Sequence, residues 1–336
     1  MTQSLNIEKY TNIYIACPAN IASGGPELLH QLGYELANLG FATYMFYYNS
    51  NENVYPVHEA YLCYGNKFVN EIEDVKKNIL IVPETYTQLI YNYKYIQKVI
   101  WWLSVDNYYN FLKSNSKIKK NIKIFLYKLG FFPKEKIYRF SKNENILHLV
   151  QSEYAKQMLK NKGVDSLFLG DYLNYYFIQK QENNTNPKKE NIVVYNPKKG
   201  KEFTNLIIEK AKDIKFVSIE NMTREEVADL LSRAKVYIDF GNHPGKDRIP
   251  REAAILGCCV ITGKDGSAKF YEDIPIGNNF KFDANKKNIP LIIKKIKSCF
   301  ENYETITKEF EYYREIIRNE RTKFLDDLKN IFKVNV

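Results

Sequence analysis

Along the first 150 positions, apolar residues come in short continuous runs separated by stretches with a helical repeat. The runs 12–17 (NIYIAC), 41–48 (FATYMFYY), 79–82 (ILIV), 98–103 (KVIWWL) and 146–150 (ILHLV) read as strands. Between the first two, residues 25–39 place Leu28, Leu29, Leu32, Leu36 and Leu39 on one helical face, and Gly40 is positioned to end that helix. After the last run, Ser152 predicts an N-cap for EYAKQMLKNK, with Gly163 as its stop. Strand–helix alternation of this kind predicts a parallel, doubly wound sheet.

Residues 179–190 (QKQENNTNPKKE) are polar without apolar periodicity and read as a linker or exposed loop. A second alternation follows: strand 191–195, helix 201–212, strand 214–219, helix 223–233, strand 235–240, helix 249–256 and strand 258–262. Thr223 and Glu226 have capping-box spacing. The tail, 285–333, is helical and charged with interleaved Tyr and Phe. The expected organisation is α/β, with Rossmann-like domains at 1–175 and 176–300, a cleft between them, and helices at 301–336 packing back toward the first. Ligands are expected beyond the carboxyl ends of the strands.

The length, 336 residues, suits two domains. A 45% hydrophobic composition is globular. No apolar run approaches the ~18 residues of a membrane-spanning helix, and the polar start MTQSLNIEKY carries no signal core, so a cytoplasmic location is expected. The five cysteines include no C-x-x-C and the four histidines are scattered, so no metal is expected. The net charge of +10 is concentrated: residues 113–142 hold ten Lys or Arg and one acid, Glu135. Such a segment seeks phosphate.

Four segments are placed to carry chemistry. Gly24 and Gly25, with Pro26 and Glu27, open the first helix; backbone N–H groups there suit an anion, although a tight turn explains the same glycines. Asp106 follows KVIWWL, as a general base at a strand end or as an ordinary helix N-cap. Asn196 and Lys199 lie in YNPKKG, where lysine before a helix start suits a diphosphate, or is simply solvated. The segment 239–254 (DFGNHPGKDRIPREAA) is the most informative, bringing His243, Lys246, Arg248, Arg251 and Glu252 to a loop and helix start. Arginine suits bidentate phosphate contacts, and Glu252 suits the two hydroxyls of a ribose or a favourable place in the helix dipole. The G-x-G-x-x-G fingerprint is absent, which argues against a nicotinamide oxidoreductase.

The run REAAILGCCVIT resembles the E-A-x-A-x-G-x-P-V-I segment of GT-B glycosyltransferases, family 4 above all. Ser23-Gly24-Gly25-Pro26-Glu27, Val150-Gln151-Ser152-Glu153-Tyr154 and Lys199-Gly200 resemble further family segments in the same order, over roughly residues 12 to 283. YNPKKG together with PREAAILG is also similar to enzymes of bacterial capsule and surface-glycan clusters. The resemblance implies a metal-independent transfer of a sugar from a nucleotide donor to a glycan or lipid-linked glycan, with no cofactor. It implies that Glu252 binds the donor ribose and that Lys199, Lys246 and Arg248 hold the diphosphate. Gly24 and Gly25 would approach donor or acceptor, and Gly266 and Ser267 would lie near the donor. The pattern departs from the family at Pro244, where the first Glu of Glu-x7-Glu belongs, and at Val194, where an Arg is usual. An inverting reaction would need a base, and Asp106 or Glu27 is the expectation.

In residues 113–142 the basic residues alternate with Ile, Phe, Leu and Tyr, a pattern suited to an anionic membrane surface at the inner face of the cytoplasmic membrane, or to a solvated face over a core. Nothing resembles a nucleic-acid reader. Two other readings fit the GT-B resemblance: a nucleotide-sugar epimerase, and a catalytically silent subunit that binds or scaffolds in a glycan assembly complex.

Overall fold

Seven parallel strands organise the first half of the chain: β1 (Asn12–Pro18), β2 (Ala42–Tyr48), β3 (Phe68–Val69), β4 (Ile79–Pro83), β5 (Gln97–Trp102), β6 (Ile146–Val150) and β7 (Leu167–Phe168). Their order is β3-β2-β1-β4-β5-β6-β7. The computed structural model describes residues 4–51, 54–117, 137–140, 144–183 and 188–333. The chain divides into one unit that runs to Gly170 and resumes at Phe324, and a second, Asp171–Lys323.

β4 and β6 are buried from end to end, so their apolar runs show no alternation, as expected of strands in a parallel sheet covered on both faces. The covering helices include α1 (Gly24–Asn38), α2 (Val105–Lys117) and α3 (Glu153–Asn161). α1 buries Leu28, Leu29, Leu32 and Leu36. Gly40 then takes a left-handed φ of 92°, and Phe41 N–H reaches back to Leu36 O at 3.1 Å, closing the helix as its sequence predicts. Ser152 caps α3 by accepting from Ala155 N–H at 3.2 Å. The two-residue strands β3 and β7 are too short to leave a period in the sequence. The basic segment 113–142 falls mostly on 118–136 and 141–143, so it and its expected membrane contact lie outside the described residues. Among the described residues no helix is long and apolar enough to cross a membrane.

A buried polar chain runs through this first core. Trp102 Nε1–H donates to His148 Nδ1 at 3.1 Å, and His148 Nε2 lies 3.1 Å from the Tyr138 hydroxyl. Indole nitrogen is only a donor, so Nδ1 must be bare and the ring neutral. Burial enforces this, lowering the pKa of His148 to about 4.

The second unit has four parallel strands, β8 (Glu190–Tyr195), β9 (Lys215–Ser218), β10 (Ala234–Asp239) and β11 (Cys259–Thr262), ordered β11-β10-β8-β9. Its helices include α4 (Tyr175–Asn183), α5 (Lys201–Lys210), α6 (Arg224–Arg233), α7 (Arg248–Ile255), α8 (Ile289–Glu301) and the start of α9 (Glu311–Ile331). The predicted loop over 179–190 is corrected here: α4 continues to Asn183. One buried side chain, Phe177, anchors an otherwise polar helix, a tertiary contact that no periodicity announces. Thr223 and Glu226 form both halves of the capping box on α6. From Phe324 the last helix belongs to the first unit, where Phe324 lies against Trp101 and Phe332 against Phe41.

Candidate functional site

In each sheet the chain winds outward one way and then returns to the other side of its first strand. The reversals fall between β1 and β4 and between β8 and β10. Loops leaving the two strands diverge at such a point, which is where open α/β sheets take ligands.

In the second unit those loops cross at backbone contact. Gly200 has φ +58°, and a Cβ there would stand 2.5 Å from the Phe240 carbonyl carbon; a Cβ on Gly241 would run into Lys199 Cβ. A third loop joins them after β11. Ser267 N–H donates to His243 O at 2.8 Å and its Oγ–H to Gly245 O at 2.6 Å. A side chain at Gly266 would collide with the His243 carbonyl. Gly266 and Ser267 thus brace the loop 241–247. Asn196 shapes the first loop by accepting from Lys198 N–H at 3.0 Å.

Three charged side chains and a histidine meet where the loops cross. Lys199 Nζ is 2.6 Å from Asp247 Oδ2. The same oxygen lies 2.9 Å from His243 Nδ1, while His243 Nε2 is 3.6 Å from Asp239 Oδ1. Asp239 is fixed in turn by Tyr237 O–H and Gly241 N–H, each at 2.9 Å. His243 is wholly buried, and its contacts are ion-pair distances rather than aligned hydrogen bonds. Burial by itself lowers the imidazole pKa, but Asp247 and Asp239 outweigh it and hold His243 above the ordinary value. Asp247 is likewise held below the carboxylate range despite its burial, by His243 and Lys199. Asp239, His243 and Asp247 are donor types that metals favour, with ligand atoms within 4.8 Å of one another. The ammonium of Lys199 already supplies a cation to Asp247, which makes the cluster a charge network.

A second network lies one turn away. Arg251 is fully buried; it donates from Nη2 to Asp171 Oδ2 at 2.6 Å, from Nη1 to Glu320 Oε2 at 2.9 Å, and from Nε to Asp247 O at 3.2 Å. Burial would raise the Asp171 pKa, but the charges of Arg251 and Lys246 bring it below the usual range. Arg251 is therefore a structural cation with its fork committed, and not the phosphate ligand its position in the sequence suggests. Lys246 Nζ meets the other oxygen of Glu320 at 2.7 Å. Arg248 opens α7 and Glu252 stands one turn further along it, both half-buried. Asp171 and Glu320 went unread in the sequence because they stand 80 and 69 positions from Arg251.

In the first unit the polar groups around the reversal are tyrosine hydroxyls and carboxyls. The Tyr61 hydroxyl donates to Ser23 O at 2.8 Å and accepts from Ser23 N–H at 2.9 Å, pinning the turn before Gly24 and Gly25. Glu27 is buried and accepts from Tyr64 O–H at 3.2 Å. Asp106 accepts from Tyr154 O–H at 3.0 Å. The capping contact at α2 falls to Ser104, whose Oγ accepts from Asn107 N–H at 3.3 Å. Glu84, at the end of β4, is a buried acid the sequence reading missed, although an acid directly after ILIVP was a visible signal. It accepts from Leu103 N–H at 3.0 Å, and burial raises its pKa to about 7.

No family model and no curated protein matches the sequence. Solved structures do match its fold along almost its whole length. Sucrose-phosphate synthase from Thermosynechococcus elongatus aligns with 12% identity and a TM-score of 0.64, covering 96% of this chain and 98% of that one. HepE from Anabaena, solved with UDP-glucose, aligns with 9% identity and a TM-score of 0.56 over 95% and 98%. WaaG, a glycosyltransferase involved in lipopolysaccharide biosynthesis, aligns with 10% identity and a TM-score of 0.54 over 96% and 100%. The chain has the GT-B fold.

Proposed function

We propose that this chain is a glycosyltransferase whose second unit holds a nucleotide-sugar donor. The observation that carries the reading is the crossing of three glycine-tight loops at the β8/β10 reversal, with Lys199 and Lys246 set before the start of α7. Lys199, Lys246 and Arg248 take the diphosphate, and Glu252, one turn into α7, takes the ribose hydroxyls. The bound UDP-glucose of HepE supports a nucleotide-sugar as the ligand class.

The acceptor is a glycan or lipid-linked glycan of bacterial surface polysaccharide, bound by the first unit near Gly24 and Gly25, with the basic segment 113–142 meeting anionic lipid. The enzyme works in the cytoplasm, or at the inner face of the cytoplasmic membrane, without a metal. If transfer inverts, Asp106 or Glu27 removes the acceptor proton; full activity in Asp106→Asn excludes Asp106. Pro244, in place of the acid usual for family 4, favours one rival: a silent GT-B subunit that binds donor or partner without transfer. Release of UDP from UDP-glucose, GDP from GDP-mannose or CMP from a CMP-linked sugar separates the two. Turnover with any of them supports the enzyme, and tight binding with no release supports the silent subunit.

A further inference from the structure

Lys199 is assigned to the donor diphosphate, yet its ammonium pairs with Asp247. If Lys199 simply left, a largely buried carboxylate would lose its charged partner, which opposes binding. The second group on the same oxygen resolves the conflict. His243 Nδ1 lies 2.9 Å from Asp247 Oδ2, and the ring is 0% exposed, whereas the Lys199 side chain is 30% exposed. Of the two, Lys199 is the one placed to move.

We propose that His243 is a positioning residue of the donor site: it keeps Asp247 paired when Lys199 turns from that carboxylate to the donor diphosphate. The inference rests on the donor reading above and adds to it how the lysine is released. The ring cannot follow Lys199, because its backbone carbonyl is held by Ser267 N–H and its ring is flanked by Asp239 and Asp247. The charged and titratable groups acting on it are Asp239 and Tyr237 from β10, Asp247 from the loop before α7, and Lys199 from the loop after β8. The β11 loop contributes Gly266 and Ser267, neither of which titrates in the working range. A ring nitrogen toward each carboxylate favours the imidazolium, which links donor binding to a proton on His243.

The test uses the full chain. Calorimetric binding of UDP-glucose, whose diphosphate diester does not titrate between about pH 6 and 9, is compared in wild type, His243→Asn and Lys199→Met. Asparagine keeps a neutral N–H near the Nδ1 position. Wild-type affinity is expected to fall with rising pH, by at most about tenfold per pH unit above the His243 pKa. His243→Asn is expected to bind roughly tenfold more weakly at pH 6 and to lose that pH dependence. In parallel, nitrogen-15 NMR of the wild-type histidines, with His243 identified by difference against Lys199→Met and His243→Asn, is expected to show an imidazolium at neutral pH. A neutral His243 at pH 6 overturns the proposal even if the variant does not fold. Wild-type affinity and pH profile in His243→Asn overturn it while leaving the donor reading intact. If the wild type binds neither UDP-glucose nor any other nucleotide-sugar tried, the donor reading fails and the positioning role falls with it.

Discussion

His148 in the first unit and His243 in the second are buried in cores of the same parallel α/β design and are pushed toward opposite charge states. His148 faces an indole N–H on one side and a phenol on the other, so it stays neutral. His243 faces a carboxylate on each side, which favours its protonated form. The difference extends to the surroundings. At the β1/β4 reversal the groups in reach are tyrosines, a glycine turn and hydrogen-bonded carboxyls. At the β8/β10 reversal they form two linked charge networks, suited to an anion. One topology thus carries two kinds of polar cluster, set by the residues at the loop crossings.

The largest break in that contrast comes from Arg251→Met. It strands Asp171 and Glu320 in a dry site and is expected to destabilise the second unit by ~3–5 kcal/mol, read by urea unfolding; an effect under ~1 kcal/mol contradicts the network's weight. Next is pH. For His148 the folded pKa of about 4 lies below the unfolded value, so the first unit loses stability as pH falls from ~6.5 toward 4, by up to roughly 3 kcal/mol. His148→Phe should flatten that limb. For His243 the sign is reversed. Its folded pKa is raised, so its contribution is complete below ~6.5 and is lost as pH climbs through the folded pKa. Unfolding followed separately by unit-specific hydrogen exchange should show the two limbs in the two units.

A smaller effect on stability, but a larger one on binding, is expected for Lys199→Met: donor affinity falls about 10- to 100-fold, while unfolding changes little because the pair is partly exposed. The smallest is Tyr61→Phe, which frees the Ser23 turn, costs ~1 kcal/mol, and leaves nucleotide affinity unchanged. Loss of nucleotide binding in that variant would assign the first unit's glycine loop to the donor.

Local signals in the sequence were read well where one residue does one job in its own segment. Gly40 stops α1, Ser152 caps α3, and Thr223 with Glu226 boxes the start of α6. The loops carrying Lys199 and His243 were singled out because a glycine and a cation at a strand end have a limited set of uses. What the sequence hid is partnership over distance. Nothing near Arg251 indicates that Asp171 and Glu320 will close on it, so a committed guanidinium looked like a phosphate ligand. Asp106 looked like a cap because it follows a strand, but Ser104 stands two residues earlier and takes the contact. His243 is legible as a donor-site candidate of its loop, but the convergence of Asp239 and Asp247 on its buried ring is not.

The most direct test of the donor assignment is a thermal-shift screen of the full chain against UDP, GDP, CMP, ADP and dTDP and their sugars, repeated with Glu252→Ala. The account predicts that one nucleotide and its sugar raise the melting temperature of the wild type and that the rise disappears in the variant. A nucleotide-dependent rise of equal size in Glu252→Ala, or no rise with any nucleotide, contradicts the placement of the donor at α7.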